Sequence, residues 1–161
     1  ATVHFVGSSS QRLDVDVSDT AQSFKVIVVG DCGSAGATEF LLGGWSSATN
    51  RGLGHTSANA WAISTGTVVS GGTSDLSPHV FRATLNGASA QIWVDEASIA
   101  SGYAGAGSLT RLTLGAGATS TPTFGTFLTG DLAFYGVYAG ATSDASLSTL
   151  CDDLQTYYGT R

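Results

Sequence analysis

Hydrophobic positions along the chain recur in short runs separated by small and polar residues. Residues 2–6 form a β-branched and aromatic run that closes on Gly7, Ser8, Ser9 and Ser10. Residues 12–17 then alternate strictly, placing Leu13, Val15 and Val17 on one face and the charges on the other, the pattern of a half-exposed antiparallel strand. Residues 24–29, FKVIVV, are almost continuously apolar and predict a strand covered on both faces. A further strand is expected at 38–42. From Gly43 to Gly72 the pattern weakens, with short strand segments at 53–56 and 60–64.

The clearest hairpin signal is residues 79–85, Asn86-Gly87, then residues 90–94, because Asn-Gly favours the positive φ angles of a tight turn. Asp95-Glu96 marks another turn before 97–100. Strands at 109–114 and 131–138 flank a Thr/Gly/Pro-rich stretch. One helix closes the chain. Ser143 is its expected N-cap, Asp144 suits its positive end, and Leu147, Leu150, Cys151, Leu154 and Tyr158 form its apolar stripe before a stop at Gly159. About ten strands and one terminal helix exclude a doubly wound α/β sheet, which needs a helix between successive strands. The expected fold is therefore all-β, a two-sheet antiparallel jelly-roll sandwich with one C-terminal helix, as a single domain over residues 1–161.

Composition agrees with many strands joined by small-residue turns, at 42% apolar and 11% charged residues with 22 glycines. A chain of 161 residues can bury a sufficient core without a disulfide or a metal. The net charge of −6 and the scattered basic residues argue against a nucleic-acid partner, which needs a clustered basic face. No apolar run approaches the roughly 20 residues that span a bilayer, so no membrane partner is expected. Ala1 and the absence of Met fit a trimmed initiator, although a cleaved signal peptide would leave a similar start. Cys32 and Cys151 are read as buried free thiols, with a disulfide between them or a metal or catalytic role as the alternatives.

The run His79-Val80-Phe81-Arg82-Ala83-Thr84-Leu85-Asn86-Gly87, followed by Ala90-Gln91-Ile92-Trp93-Val94-Asp95, resembles the central hairpin of laminin-G-like, concanavalin-A-like jelly-roll domains. Leu112-Thr113-Leu114-Gly115 is similar to a later strand of that family, and Phe127-Leu128-Thr129-Gly130-Asp131-Leu132 to its return strand. Phe5-Val6-Gly7 and the Tyr157-Tyr158-Gly159 tail resemble the two ends of its single-domain members. Glu96 departs from the pattern, in which Val-Asp is usually followed by Gly. The resemblance is to the stand-alone type found in phage virion proteins.

Catalysis is not expected. Fold relatives that cleave β-glucans carry alternating carboxylates on one strand. The nearest candidates here, Asp14 with Asp16 and Asp95 with Glu96, read as solvent-exposed and as turn residues. Gly44-Trp45-Ser46-Ser47-Ala48 misses the nucleophile-elbow pattern at its last position. His4, His55 and His79 fall in separate strands without metal-ligand spacing, so no metal site is expected from them. No cofactor is required, although the resemblance implies Ca²⁺ at the sandwich rim as an alternative, with Asp31, Asp75 and Asp95 offering oxygens.

The candidate ligand-binding residues are Trp45, Asn50, Arg51, His55, Asn59 and Trp61, which combine flat apolar surface with planar hydrogen-bonding groups as sugar recognition requires. The competing reading places both tryptophans in the core. The resemblance implies a non-enzymatic structural or interaction protein on a phage virion surface, as capsid decoration, fibre or adhesion module. Its partners would be proteins of that assembly, and it would form a homo-oligomer. The alternative is a secreted, carbohydrate-binding, lectin-like module with glycan partners.

Overall fold

The computed structural model describes residues 1–15, 23–44, 51–107, 112–120 and 123–160. Along the chain run β1 (Val3–Phe5), β2 (Leu13–Val15), β3 (Phe24–Gly30), β4 (Glu39–Gly44), β5 (Arg51–His55), β6 (Trp61–Thr65) and β7 (Val68–Gly71). After them come β8 (His79–Leu85), β9 (Ala90–Val94), β10 (Ala97–Gly102), β11 (Leu112–Leu114), β12 (Ala116–Ser120), β13 (Thr123–Phe127) and β14 (Gly130–Ala139). Helix α1 (Asp144–Tyr158) follows. Sheet A has the order β1-β14-β3-β8-β9-β10, sheet B the order β2-β11-β4-β5-β6-β7, and β12-β13 forms a separate hairpin. Each pairing is antiparallel, and the expected all-β sandwich with a C-terminal helix is what the chain forms.

The continuous apolar run of β3 is explained by a layer on each side of it. Phe24, Val26 and Val28 face sheet B in the main core, whereas Ile27 and Val29 face α1 in a second, smaller core with Val80, Leu147, Cys151 and Leu154. Alternation along one strand thus serves two apolar layers at once. The helix signals hold: the Ser143 hydroxyl accepts from Ser146 N–H at 3.1 Å, and Gly159 at φ 68° donates its N–H to the Gln155 carbonyl.

Charged groups reinforce this outer layer. Lys25, 7% exposed, donates from Nζ to the Thr142 carbonyl at 2.7 Å and to Asp144 at 2.8 Å. Arg82, 5% exposed, binds Glu96 through Nε at 3.0 Å and Nη2 at 3.1 Å and lies 3.8 Å above the Trp93 ring. The Ser148 hydroxyl of α1 donates to the same Glu96 carboxylate at 2.6 Å.

Two expectations are corrected. Asn86-Gly87 does not make a two-residue hairpin turn, because a short 3-10 turn over Gly87–Ser89 lengthens the connection. The tight turn is Asp95-Glu96, with φ of 48° and 63° between paired Val94 and Ala97. The Thr/Gly/Pro-rich stretch contains the β12-β13 hairpin, whose Gly and Thr residues give no apolar alternation. Cys32 and Cys151 are buried free thiols, as read from the sequence, and occupy the two different cores.

Candidate functional site

Among the described residues, the sequence-derived ligand candidates do not share one surface. Trp45 and Asn50 lie outside the described residues, and Arg51 opens β5 with its side chain outside them. Trp61 is 2% exposed, edge-on to Phe81 at 4.6 Å between ring centroids, so its ring is core and offers no stacking face. His55 is equally buried and packs at 5.9 Å from the Trp61 ring. Both point inward because β5 and β6 alternate, with Leu53 and Ile63 on the same inner face. Asn59 is exposed at φ 54° in the β5-β6 turn, where its Oδ1 accepts from Gly36 N–H at 2.8 Å and its carbonyl from Ser74 N–H.

The outer face of sheet B carries a different feature. Gly52 and Gly54 leave β5 without side chains there, and a groove of about 190 Å³ lies over them. Phe40, Ala62 and the exposed Val68 give it apolar walls, and Thr38, Thr56 and Ser64 line it with hydroxyls. Each of these hydroxyls accepts one backbone N–H, from Ser57, Ala58 and Gly66 respectively, which leaves its own proton available to donate. The Phe40 ring sits so close to Gly52 and to Gly117 of the β12-β13 hairpin that a Cβ on either glycine would meet it within 3 Å. The hairpin therefore flanks the groove. Its size suits one small ring rather than a drug-sized ligand.

At the sandwich rim the acidic candidates are already engaged. His79 lies between Asp95, 2.6 Å from Nδ1, and Asp75, 2.8 Å from Nε2. Asp95 also accepts from Val80 N–H and Asp75 from Ser77 N–H. Burial lowers the pKa of His79, but its hydrogen bonds to the two carboxylates outweigh this and hold it above the usual histidine range. Asp31 accepts instead from Asp131 N–H, beside the pair His4–Asp131. Burial raises the Asp31 carboxyl, against that backbone hydrogen bond. The three proposed Ca²⁺ oxygens thus serve separate contacts. The carboxylates weighed as catalytic pairs are also engaged: Asp14 with Arg12 and Thr113, Asp95 with His79, and Glu96 with Arg82, while Asp16 lies outside the described residues.

Cys32, Glu39 and His55, all buried, bring one ligand-type atom each to within 4.8 Å of one another. Among the described residues this is the group of three metal-ligating side chains that the fold assembles. Glu39 and His55 are cross-strand partners on the inner face of sheet B, next to the β4 bulge, and Cys32 arrives from the turn after β3. Glu39 Oε1 accepts from Thr129 N–H at 3.2 Å, and His55 Nδ1 lies 3.1 Å from the Ser74 hydroxyl. The remaining atoms, Oε2 and Nε2, face each other at 3.5 Å without hydrogen-bond geometry. Burial, then the nearby Glu39 and Asp31 charges, push the Cys32 thiol far up, and burial holds His55 below its usual range despite Glu39. Sequence spacing does not show this group, because its members meet only through strand register.

No family model matches the chain, and no curated protein matches it. Solved structures do. A Trypanosoma rangeli sialidase in complex with 2,3-difluorosialic acid is similar at a TM-score of 0.60 and 13% identity, over 80% of this chain and 22% of that one. The binding domain of botulinum neurotoxin DC in complex with SialylT is similar at a TM-score of 0.61 and 10% identity, over 89% of this chain and 40% of that one. The chain thus spans about a fifth of the sialidase and two fifths of the toxin domain. At these identities the likeness establishes the β-sandwich fold alone.

Proposed function

We propose that the chain is a non-enzymatic recognition module of the jelly-roll, laminin-G-like kind that engages carbohydrate through the groove on the outer face of sheet B. The observation that carries this reading is the groove itself, in which apolar walls and three hydroxyls border a glycine floor. A sugar ring presents the matching combination of an apolar face and an equatorial belt of hydroxyls. The toxin domain in complex with SialylT supports it at the level of fold. A glycan array read with the purified chain tests it. Val68→Glu, at the open rim, is expected to weaken any array hit at least tenfold while leaving the Tm unchanged. An array without hits, or hits indifferent to Val68→Glu, overturns the reading.

A second, compatible reading is display on a virion surface, where the chain would dock on protein neighbours or on copies of itself. It is favoured by the edge strands β1 and β2, which follow one another in sequence and end sheets A and B. Val3, Val6 and Leu13, on and between them, are exposed apolar side chains. Short apolar edges of this type are natural sites for an added strand or a docking neighbour. Sedimentation of the protein from its natural source tests this: migration with a large particle is expected, and a free monomer overturns it.

A further inference from the structure

We infer that Cys32, Glu39 and His55 form a buried binding site for one zinc-type transition-metal dication. The donor set is a thiol, a carboxylate and an imidazole, the ligand types that bind zinc with tetrahedral geometry. Two of the three donors exclude Ca²⁺ and Mg²⁺, which take oxygen ligands.

Three observations point to an ion rather than to a closed hydrogen-bonded cluster. First, Glu39 and His55 each have their second polar atom tied down. Thr129 N–H holds Glu39 Oε1 and the Ser74 hydroxyl holds His55 Nδ1, so Oε2 and Nε2 are the atoms left for a ligand. This is the outer-shell arrangement that orients metal ligands.

Second, Glu39 Oε2 and His55 Nε2 are fully buried and have no hydrogen-bond partner. A buried polar atom left so is costly, and both are aimed into the same space. Their separation of 3.5 Å is close to the roughly 3.3–3.6 Å between ligands of a tetrahedral zinc ion with bonds of about 2.0–2.3 Å. Cys32, at up to 4.8 Å, needs about 1 Å of side-chain movement to complete the set.

Third, charge balances. Binding displaces the Cys32 thiol proton to solvent, and thiolate, carboxylate and dication sum to zero inside the core. The alternative leaves a carboxylate in an apolar layer without a full complement of donors. Three protein ligands leave one tetrahedral position for water.

The test uses the whole chain without a histidine tag, unfolded in denaturant with a chelator and refolded with one equivalent of Co²⁺. A thiolate-to-cobalt charge-transfer band is expected, together with displacement of the cobalt by Zn²⁺ and a higher Tm in its presence. Cys32→Ala should abolish the band and Cys151→Ala should retain it. Ser74→Ala, which leaves all three ligands in place, should weaken cobalt binding about 10–100-fold and keeps the test open if Cys32→Ala fails to fold. Refolded wild type that takes up neither Co²⁺ nor Zn²⁺ overturns the proposal. So does a band that survives Cys32→Ala or vanishes in Cys151→Ala, and so does binding unchanged in Ser74→Ala. These readouts do not depend on carbohydrate binding.

Discussion

Glu96 occupies a left-handed turn position that a glycine would adopt without strain, at φ 63°. Its side chain is what the position gains in return, since the carboxylate joins buried Arg82 to Ser148 of α1. Burial raises its pKa, and the Arg82 and Ser148 hydrogen bonds more than reverse this. Glu96→Gly relieves about 1–2 kcal/mol of backbone strain, whereas stranding a buried cation costs about 3–5 kcal/mol. Arg82 keeps Asp144 and the Trp93 ring, so a net loss of about 1–3 kcal/mol is expected as a lower urea midpoint. His79 gives a pH signature. Its pKa is raised on folding, so its contribution is fully present below about pH 6.5 and is lost as pH rises through the raised value. His79→Gln should therefore cost about 1–2 kcal/mol near pH 6 and less at pH 9, read as the Tm difference from wild type.

At the scale of elements, β5 is the strand that determines the outer face of sheet B. A Cβ on Gly54 would collide with the Glu39 carbonyl oxygen and stand 2.8 Å from the Phe40 Cα, both backbone atoms that cannot yield alone. Gly54→Ala should lower stability by about 1–3 kcal/mol or more in a denaturant titration. Gly36→Ala, at φ 76° with open space around it, should cost only the backbone term of about 1–2 kcal/mol. The same element shows where sequence reasoning reached its limit. β3, β8, β9 and α1 were legible because apolar periodicity is strong where a strand or helix feeds a core. β7, four residues long with Val68 and Val69 adjacent rather than alternating, and the β12-β13 hairpin, rich in Gly, Ser and Thr, were not. The candidate sites were legible only in part. Trp61 and His55 were picked out by residue type, but their inward orientation follows from β5-β6 register, and the Cys32–Glu39–His55 cluster follows from the β4-β5 register at a bulge.

At the scale of the molecule, the described residues form two cores of unequal size, and each holds one cysteine. Burial and the Glu96 charge push the Cys151 thiol up to about 12, so both thiols should resist a thiol reagent in the native state. Under mild denaturant Cys151 should react before Cys32, because the α1 layer is the smaller unit and can open locally. Mass spectrometry of the labelled chain checks the order, and equal rates would mean that both layers open together. The charged seam beneath α1 has a further consequence for encounter. Lys25 and Arg82 are sequestered between sheet and helix, and Arg12 is engaged with Asp14, so these cations project little field outward. With twelve acidic against six basic residues, the long-range potential favours neutral or cationic visitors. An acidic sugar would be steered away at low ionic strength and approach faster as salt screens the repulsion, whereas a neutral one would arrive at a rate indifferent to salt.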